Sequence, residues 1–418
     1  MKRIVLKKTT AVLAACLLTF SCAALPVGQT AVPVLTAFAE DAEYTEGTYD
    51  LMTYRKYADH IEITACDKEA KAANIPASIE GLPVTRIAQH SFEGSAIESL
   101  TLPDSLTEIG YWAFATCKSL TSVDIPGSVA VVEKDAFTDC TSLTDVTLHE
   151  GLVELQQGVF GNTRLKSITF PESLLRLRAG VFSYCTTLEE VNFPSHQVDI
   201  YSNVFMETAW LKARQAENPL VIVDGTLIDA TTTVGDVVIP DGVTIIASQA
   251  FSMNQKVTSV IVPATVKNIW DETFYYCQNL KTVELLGAEY IGPNTFCGCL
   301  SLESVRLSRN LREIGETAFS GLEQKVTVYY GGTKEEWQQV NIPDRTNRFY
   351  NLARYKYSTY GDVNSDAKLS AADVIAVQKW LMGVSDTPMT NPDTADLNRN
   401  GIVDVFDLAK MKHALLSK

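Results

Sequence analysis

The chain has 418 residues, 46% of them hydrophobic and 20% charged, with 35 Lys and Arg against 50 Asp and Glu. That composition excludes a disordered tail and a many-pass membrane protein. The formal charge of −15 excludes a duplex nucleic-acid binder, which needs basic surface to displace counterions, and the length suits two or three structural units.

In chain order, Lys2, Arg3, Lys7 and Lys8 precede a largely apolar stretch ending at Ala37-Phe38-Ala39, just ahead of Glu40, the first acid. This is the layout of a cleaved export signal, so residues 1–39 are expected to be removed, leaving a formal charge of −19. Leu13-Ala14-Ala15-Cys16 also fits a lipoprotein cleavage box, but cutting there leaves a short apolar core. A retained membrane anchor is disfavoured by Pro26, Gly28, Gln29 and Pro33.

A repeat then begins. Ten of the sixteen phenylalanines, Phe92, Phe114, Phe137, Phe160, Phe182, Phe205, Phe251, Phe274, Phe296 and Phe319, are spaced by 22 or 23 residues, with one gap of 46 that equals two periods. The full unit reads Leu120-x-x-Val123-x-Ile125-Pro126-x-x-Val129-x-x-Val132-x-x-x-Ala136-Phe137-x-x-Cys140. Val123-x-Ile125 and its equivalents, Leu100-x-Leu102, Val146-x-Leu148, Val191-x-Phe193, Val260-x-Val262, Val283-x-Leu285 and Val305-x-Leu307, alternate as a short strand with one buried face requires. Pro103, Pro126, Pro171, Pro194, Pro240 and Pro263 end that strand, having no amide hydrogen to continue the ladder. A single coil cannot bury its apolar face, so coils must stack, with Phe as the interior filler and atypical coils at both ends.

Residues 40–90, with Ile61-x-Ile63, are expected to cap a solenoid of 91–345. Val326-x-Val328 and Trp337-x-x-Val340-x-Ile342-Pro343 read as worn final coils, and 346–360 as a linker. The interruption at 206–236 keeps the phase and reads as an extra hairpin-like coil. Cys117, Cys140, Cys185, Cys277 and Cys299 all fall three residues after the repeating Phe. Ser95, Thr163, Thr208 and Asn254 fill the same slot elsewhere, so buried free thiols are expected there. Cys297-x-Cys299 has no companion pair and reads as neither redox centre nor zinc site. Thr101, Asp124, Thr147, Thr169, Asn192, Glu284 and Arg306 lie between buried strand residues and would form a polar, ligand-ready face.

This repeat resembles the bacterial BspA-type leucine-rich repeat family over about residues 75–330. The resemblance implies an α/β repeat solenoid with one short parallel strand per coil, and a generic protein-binding or adhesive surface without catalytic residues. His149 replaces the proline in one coil and changes only local regularity.

From Gly361 the period becomes 34. Asp362, Asn364, Asp366, Ser370 and Asp373 map onto Asp396, Asn398, Asn400, Asp404 and Asp407, and Val374, Val377 and Leu381 onto Leu408, Met411 and Leu415. Oxygens at positions 1, 3, 5, 9 and 12 of a loop, with a carbonyl at 7, suit a hard cation of six to eight ligands. Two Ca2+ ions are therefore expected. One takes Asp362, Asn364, Asp366, the Lys368 carbonyl, Ser370 through water and Asp373; the other takes Asp396, Asn398, Asn400, the Ile402 carbonyl, Asp404 and Asp407. Ala367, where Gly401 stands in the second loop, makes a sharp turn costlier in the first. Position 12 is Asp rather than the Glu of an ordinary EF-hand.

Two loop-then-helix units over residues 361–418 resemble a small all-α type I dockerin domain. The resemblance implies calcium-dependent folding and docking to a cohesin module of a scaffoldin. It would use Ala371, Ala372 and Lys379 in one copy, Val405, Phe406 and His413 in the other. No zinc-binding histidine pair, nucleophile elbow or phosphate-cradling glycine loop is present among the motifs. The chain as a whole is expected to be a non-catalytic, secreted binding module of a cellulosome or cell surface, with a protein or polysaccharide ligand on its repeats. The alternative is a polysaccharide-active enzyme with an unrecognised site on the solenoid.

Overall fold

The structure is a computed structural model that describes residues 43–322, 324–343, 348–357, 361–364, 368–384, 389, 392–397 and 402–416. The expected export signal therefore lies outside the described residues, as do the expected ligands Asp366, Asn398 and Asn400.

Each coil presents two short strands, one on each of two walls of the spiral. On the first wall, Ser122–Ile125 pairs in parallel with Asp145–Leu148, and Ser167–Thr169 with Glu190–Asn192. Farther on, Gly235–Val238, Val257–Val262, Thr282–Leu285, Ser304–Leu307, Thr327–Tyr330 and Arg354–Tyr357 form one parallel sheet. The second wall is built from rungs of two residues whose inward members stack in one column. Ile63, Ile87, Ile109, Val132, Leu155, Leu177 and Ile200 form its first half. Leu227, Ile246, Ile269, Ile291 and Ile314 form the second. All are buried.

Between the walls run the phenylalanines. Adjacent rings from Phe92 to Phe205 lie 4.7–5.8 Å apart, and those from Phe251 to Phe319 lie 5.0–5.4 Å apart. Every one of these rings is buried. The sulfur of Cys117, Cys140, Cys185, Cys277 or Cys299 donates to the carbonyl of a ladder Phe in the preceding coil at 3.0–3.2 Å. All seven described cysteines are free thiols.

The chain turns sharply around each Phe. The residue two before it (His90, Trp112, Asp135, Gly158, Gly180, Asn203, Gln249, Glu272, Asn294, Thr317) has positive φ. So does the residue two after it (Gly94, Thr116, Asp139, Asn162, Tyr184, Glu207, Met253, Tyr276, Gly298, Gly321). Left-handed backbone disfavours most side chains, yet its repetition here lets the amides line up with the carbonyls of the next coil. Phe114 N donates to Ala136 O at 2.8 Å and Thr116 N to Thr138 O at 2.8 Å.

At the N-terminal end β1 (Thr45–Tyr49), β2 (Met52–Lys56) and β3 (Ile61–Cys66) form an antiparallel meander, and β3 pairs in parallel with Leu82–Ile87 of the first coils. The interruption contains a helix that the sequence reading did not expect, α1 (Ala209–Glu217), followed by an antiparallel hairpin of Val221–Val223 with Thr226–Asp229. Its turn, Asp224-Gly225, has φ of 44° and 76°, the left-handed pair favoured in two-residue hairpins. Trp210 closes the first ring stack, 4.7 Å from Phe205.

Past Phe319 the spiral continues into the segment expected as a linker. Between them, α2 (Lys334–Gln339) opens with a full capping box between Thr333 and Glu336 and buries Trp337. Helix α3 (Arg348–Leu352) supplies Phe349, whose ring stacks on Phe319 at 4.2 Å and 3°. Arg354–Tyr357 then pairs in parallel with Thr327–Tyr330 as a further rung. The spacing missed Phe349 because 30 residues, not 22 or 23, separate it from Phe319.

Candidate functional site

The C-terminal repeat of 34 residues forms its own small core. Helices α4 (Ala371–Leu381) and α5 (Val405–Leu416) enclose Val363, Leu369, Val374, Val377, Ala395 and Met411, with Leu381, Leu408 and Leu415 packed against them. The pairs that match at a spacing of 34 thus share one interior.

The loops are held to the helices through their last carboxylates. Asp373 is fully buried; its Oδ1 accepts from Val363 N at 3.0 Å and Asn364 N at 3.2 Å. Its Oδ2 accepts from Ser370 N at 2.9 Å and the Ser370 hydroxyl at 2.8 Å. Ser370 in turn caps α4 by accepting from Ala372 N at 3.2 Å. The second copy repeats the design: Asp407, also buried, accepts from Asp404 N at 3.0 Å, and Asp404 accepts from Phe406 N at 2.8 Å. Asp362 is buried as well, and its carbonyl accepts from the Thr394 hydroxyl at 2.9 Å. That bond ties the first loop to the segment leading into the second.

The donors of Asp373 are all neutral, and among the described residues no Lys, Arg or His pairs with it. Its four hydrogen bonds, three from backbone N–H groups, hold the buried carboxylate without a basic partner, and the carboxylate, amide and carbonyl oxygens at the expected loop positions are the chemistry of a hard divalent ion. The residues present therefore fit calcium. Among the described residues no three His, Cys, Asp or Glu side chains form a metal cage. Asp366, Asn398 and Asn400 of the expected sets are outside the description, and Asn364, Lys368, Asp396 and Ile402 lie within it.

The expected docking residues lie on the outside. Ala371, Ala372, Lys379 and His413 are exposed, Val405 is 64% and Phe406 69% accessible. Ile375, Trp380 and Met382 are exposed beside them, at 51%, 47% and 62%. Ala371, Ile375, Lys379 and Met382 share one helical face at i, i+4, i+8 and i+11. Adding 34 gives Val405, Ala409, His413 and Leu416, all exposed too. A signal was available: these positions fall outside the buried +34 pairs.

The second exposed surface is the first wall of the spiral. Asn192 Nδ2 donates to Thr169 Oγ1 at 3.3 Å, His149 Nε2 lies 2.7 Å from Asp124 Oδ1, and Arg306 Nε lies 3.2 Å from Glu284 Oε2. Side-chain donation from Ser259 and Thr258 holds the Asp236 carboxyl below its ordinary pKa. Thr101 donates across the same wall to Asn74 at 3.2 Å, and Thr147 stands in register with Asp124.

These features define a repeat solenoid followed by a small helical module. The model of the BspA type leucine rich repeat region matches residues 85–212 and 229–346, in six copies, and the chain belongs to that family. The unmatched 213–228 is the end of α1 with part of its hairpin. Residues 360–416 match the dockerin type I domain, a module that binds calcium and docks to cohesins. Both families are non-catalytic. The chain is similar to a leucine rich cell surface protein of Faecalibacterium prausnitzii at 20% identity, covering 71% of this chain and 97% of that one, with a TM-score of 0.42. It is similar to the pneumococcal vaccine antigen PcpA at 15% identity, covering 75% and 99%, with a TM-score of 0.39. A leucine-rich repeat protein of Bacteroides ovatus matches at 20% identity, covering 75% and 100%, with a TM-score of 0.35. No curated protein matches. Among the described residues no helix is long and apolar enough to cross a membrane.

Proposed function

We propose that this chain is a secreted, non-catalytic binding module whose repeats hold a protein or a plant-wall polysaccharide and whose tail plugs it into a scaffoldin of a cellulosome. Two calcium ions order the tail. Asp362, Asn364, Asp366, the Lys368 carbonyl, Ser370 and Asp373 hold one, and Asp396, Asn398, Asn400, the Ile402 carbonyl, Asp404 and Asp407 hold the other. The ordered helices present Ala371, Ala372 and Lys379, or Val405, Phe406 and His413, to a cohesin. The observation that supports this reading most is the exposed face that recurs at a spacing of 34, since a surface helix gains nothing in water from leaving Val405 and Phe406 unburied. Copy two offers the larger apolar pair, so it is the preferred docking face.

The test is capture on immobilised cohesin. Asp362→Ala with Asp396→Ala abolishes capture, as does a chelator, and added calcium restores it for the native chain alone. Capture that persists in chelator refutes the calcium reading.

A further inference from the structure

The first wall of the spiral is electrically lopsided. Its outward residues include Asp124, Asp145, Glu190, Asp236 and Glu284, and then the signs reverse. The last three rungs, Ser304–Leu307, Thr327–Tyr330 and Arg354–Tyr357, hold Arg306, Arg354 and Lys356 and no acid. The register puts Arg306, Tyr329 and Lys356 in one column and Thr327 beside Arg354 in the next. The Arg306 guanidinium lies 5.5 Å from the centre of the Tyr329 ring and Lys356 Nζ 4.8 Å from it. Lys356 Nζ also donates to Tyr329 Oη at 3.4 Å. Glu284 faces Arg306 from the rung before. Among the described residues Arg354 and Lys356, both exposed, have no acidic partner.

In a chain with a formal charge of −15, scattered placement would leave each cation beside an acid, as at Arg86 and Glu108 or Arg178 and Glu154 on the opposite wall. Arg354 and Lys356, left without an acid among the described residues, call for an anion from outside. Arg354 and Lys356 are two residues apart on one strand, about 6.6 Å, which is also the spacing of alternate side chains in another extended chain. Arg306 and Lys356, from the rungs on either side, both lie over the Tyr329 ring, so cations rather than a sugar already cover it.

We propose that the outermost of these rungs binds an extended acidic peptide of a partner protein, with carboxylates at alternate positions meeting Arg354 and Lys356. This rests on reading the repeats as the ligand-binding half of the chain, and it names the ligand's chemistry.

The experiment uses the full calcium-loaded chain and three fluorescent probes: an alternating Glu-Ser octapeptide, an alternating Lys-Ser octapeptide and an oligogalacturonate of equal charge. Anisotropy at low salt shows binding of the Glu-Ser probe, which weakens as salt rises, and none of the Lys-Ser probe. Arg354→Glu with Lys356→Glu weakens the Glu-Ser probe more than tenfold while the melting temperature and cohesin capture stay as in the native chain. No Glu-Ser binding at low salt, or undiminished binding by the double variant, overturns the proposal. Tighter binding of the oligogalacturonate than of the peptide also overturns it and makes the patch a polysaccharide site. Because cohesin capture is read on the same proteins, failure of the anion site is distinguishable from failure of the docking reading.

Discussion

At Phe137 the ring lies between Phe114 at 5.0 Å and Phe160 at 5.6 Å, with no solvent exposure. Phe137→Ala opens a cavity that rigid neighbours on both sides cannot fill, and should cost about 3–5 kcal/mol, read as a shift in denaturation midpoint. The thiols beside the ladder add a pH dependence. Burial pushes the Cys277 thiol from its ordinary 9.0 up to about 12. The folded state therefore holds its proton where the unfolded state has lost it, so this contribution is complete below pH 9 and disappears as pH rises toward about 12. Stability should fall across that alkaline window, and less steeply in Cys277→Ala. The recurring Phe and Cys were legible because burial fixes residue type at a constant spacing. The left-handed residues were not, because Gln249, Glu272 and Thr317 occupy the same backbone as Gly158 and Asn294.

The elements divide in the same way. First-wall strands were legible from alternation, but the second wall, with rungs of two residues, gives no periodic signal and appears in the sequence only as single residues such as Val132. Helix α1 went unseen because nine residues span too few turns for an apolar stripe to show. Thr208 defines its start: the buried hydroxyl accepts from Leu211 N at 3.1 Å and donates to Phe205 O at 2.8 Å. Thr208→Ala removes both bonds and should cost about 1–2 kcal/mol, checked by chemical denaturation. The side chain of Gln215 secures the other end, donating to Asp229 at 2.8 Å, and burial raises the pKa of that carboxyl.

For the whole molecule, three separate apolar cores imply that stability is not one number. Chelating calcium should lower the melting transition of the C-terminal module and leave that of the repeats in place, as followed by scanning calorimetry; a single transition that moves as a whole would show the module and spiral to be one cooperative unit. The duplicated loop-then-helix module was legible from its spacing of 34, while the exposed residues of α4 beyond Ala371 and Ala372 were not, since exposed positions carry no burial constraint. The gap in the aromatic stack between Trp210 and Phe251 has a mechanical side. It is bridged by polar contacts, Asn203 with Gln249 and Gln197 with Thr226 at 3.4 Å, rather than by rings. Pulled from its two ends, the spiral would meet two ring-stacked segments in series with a junction that no ring pair spans, and would lengthen in discrete jumps instead of fraying coil by coil.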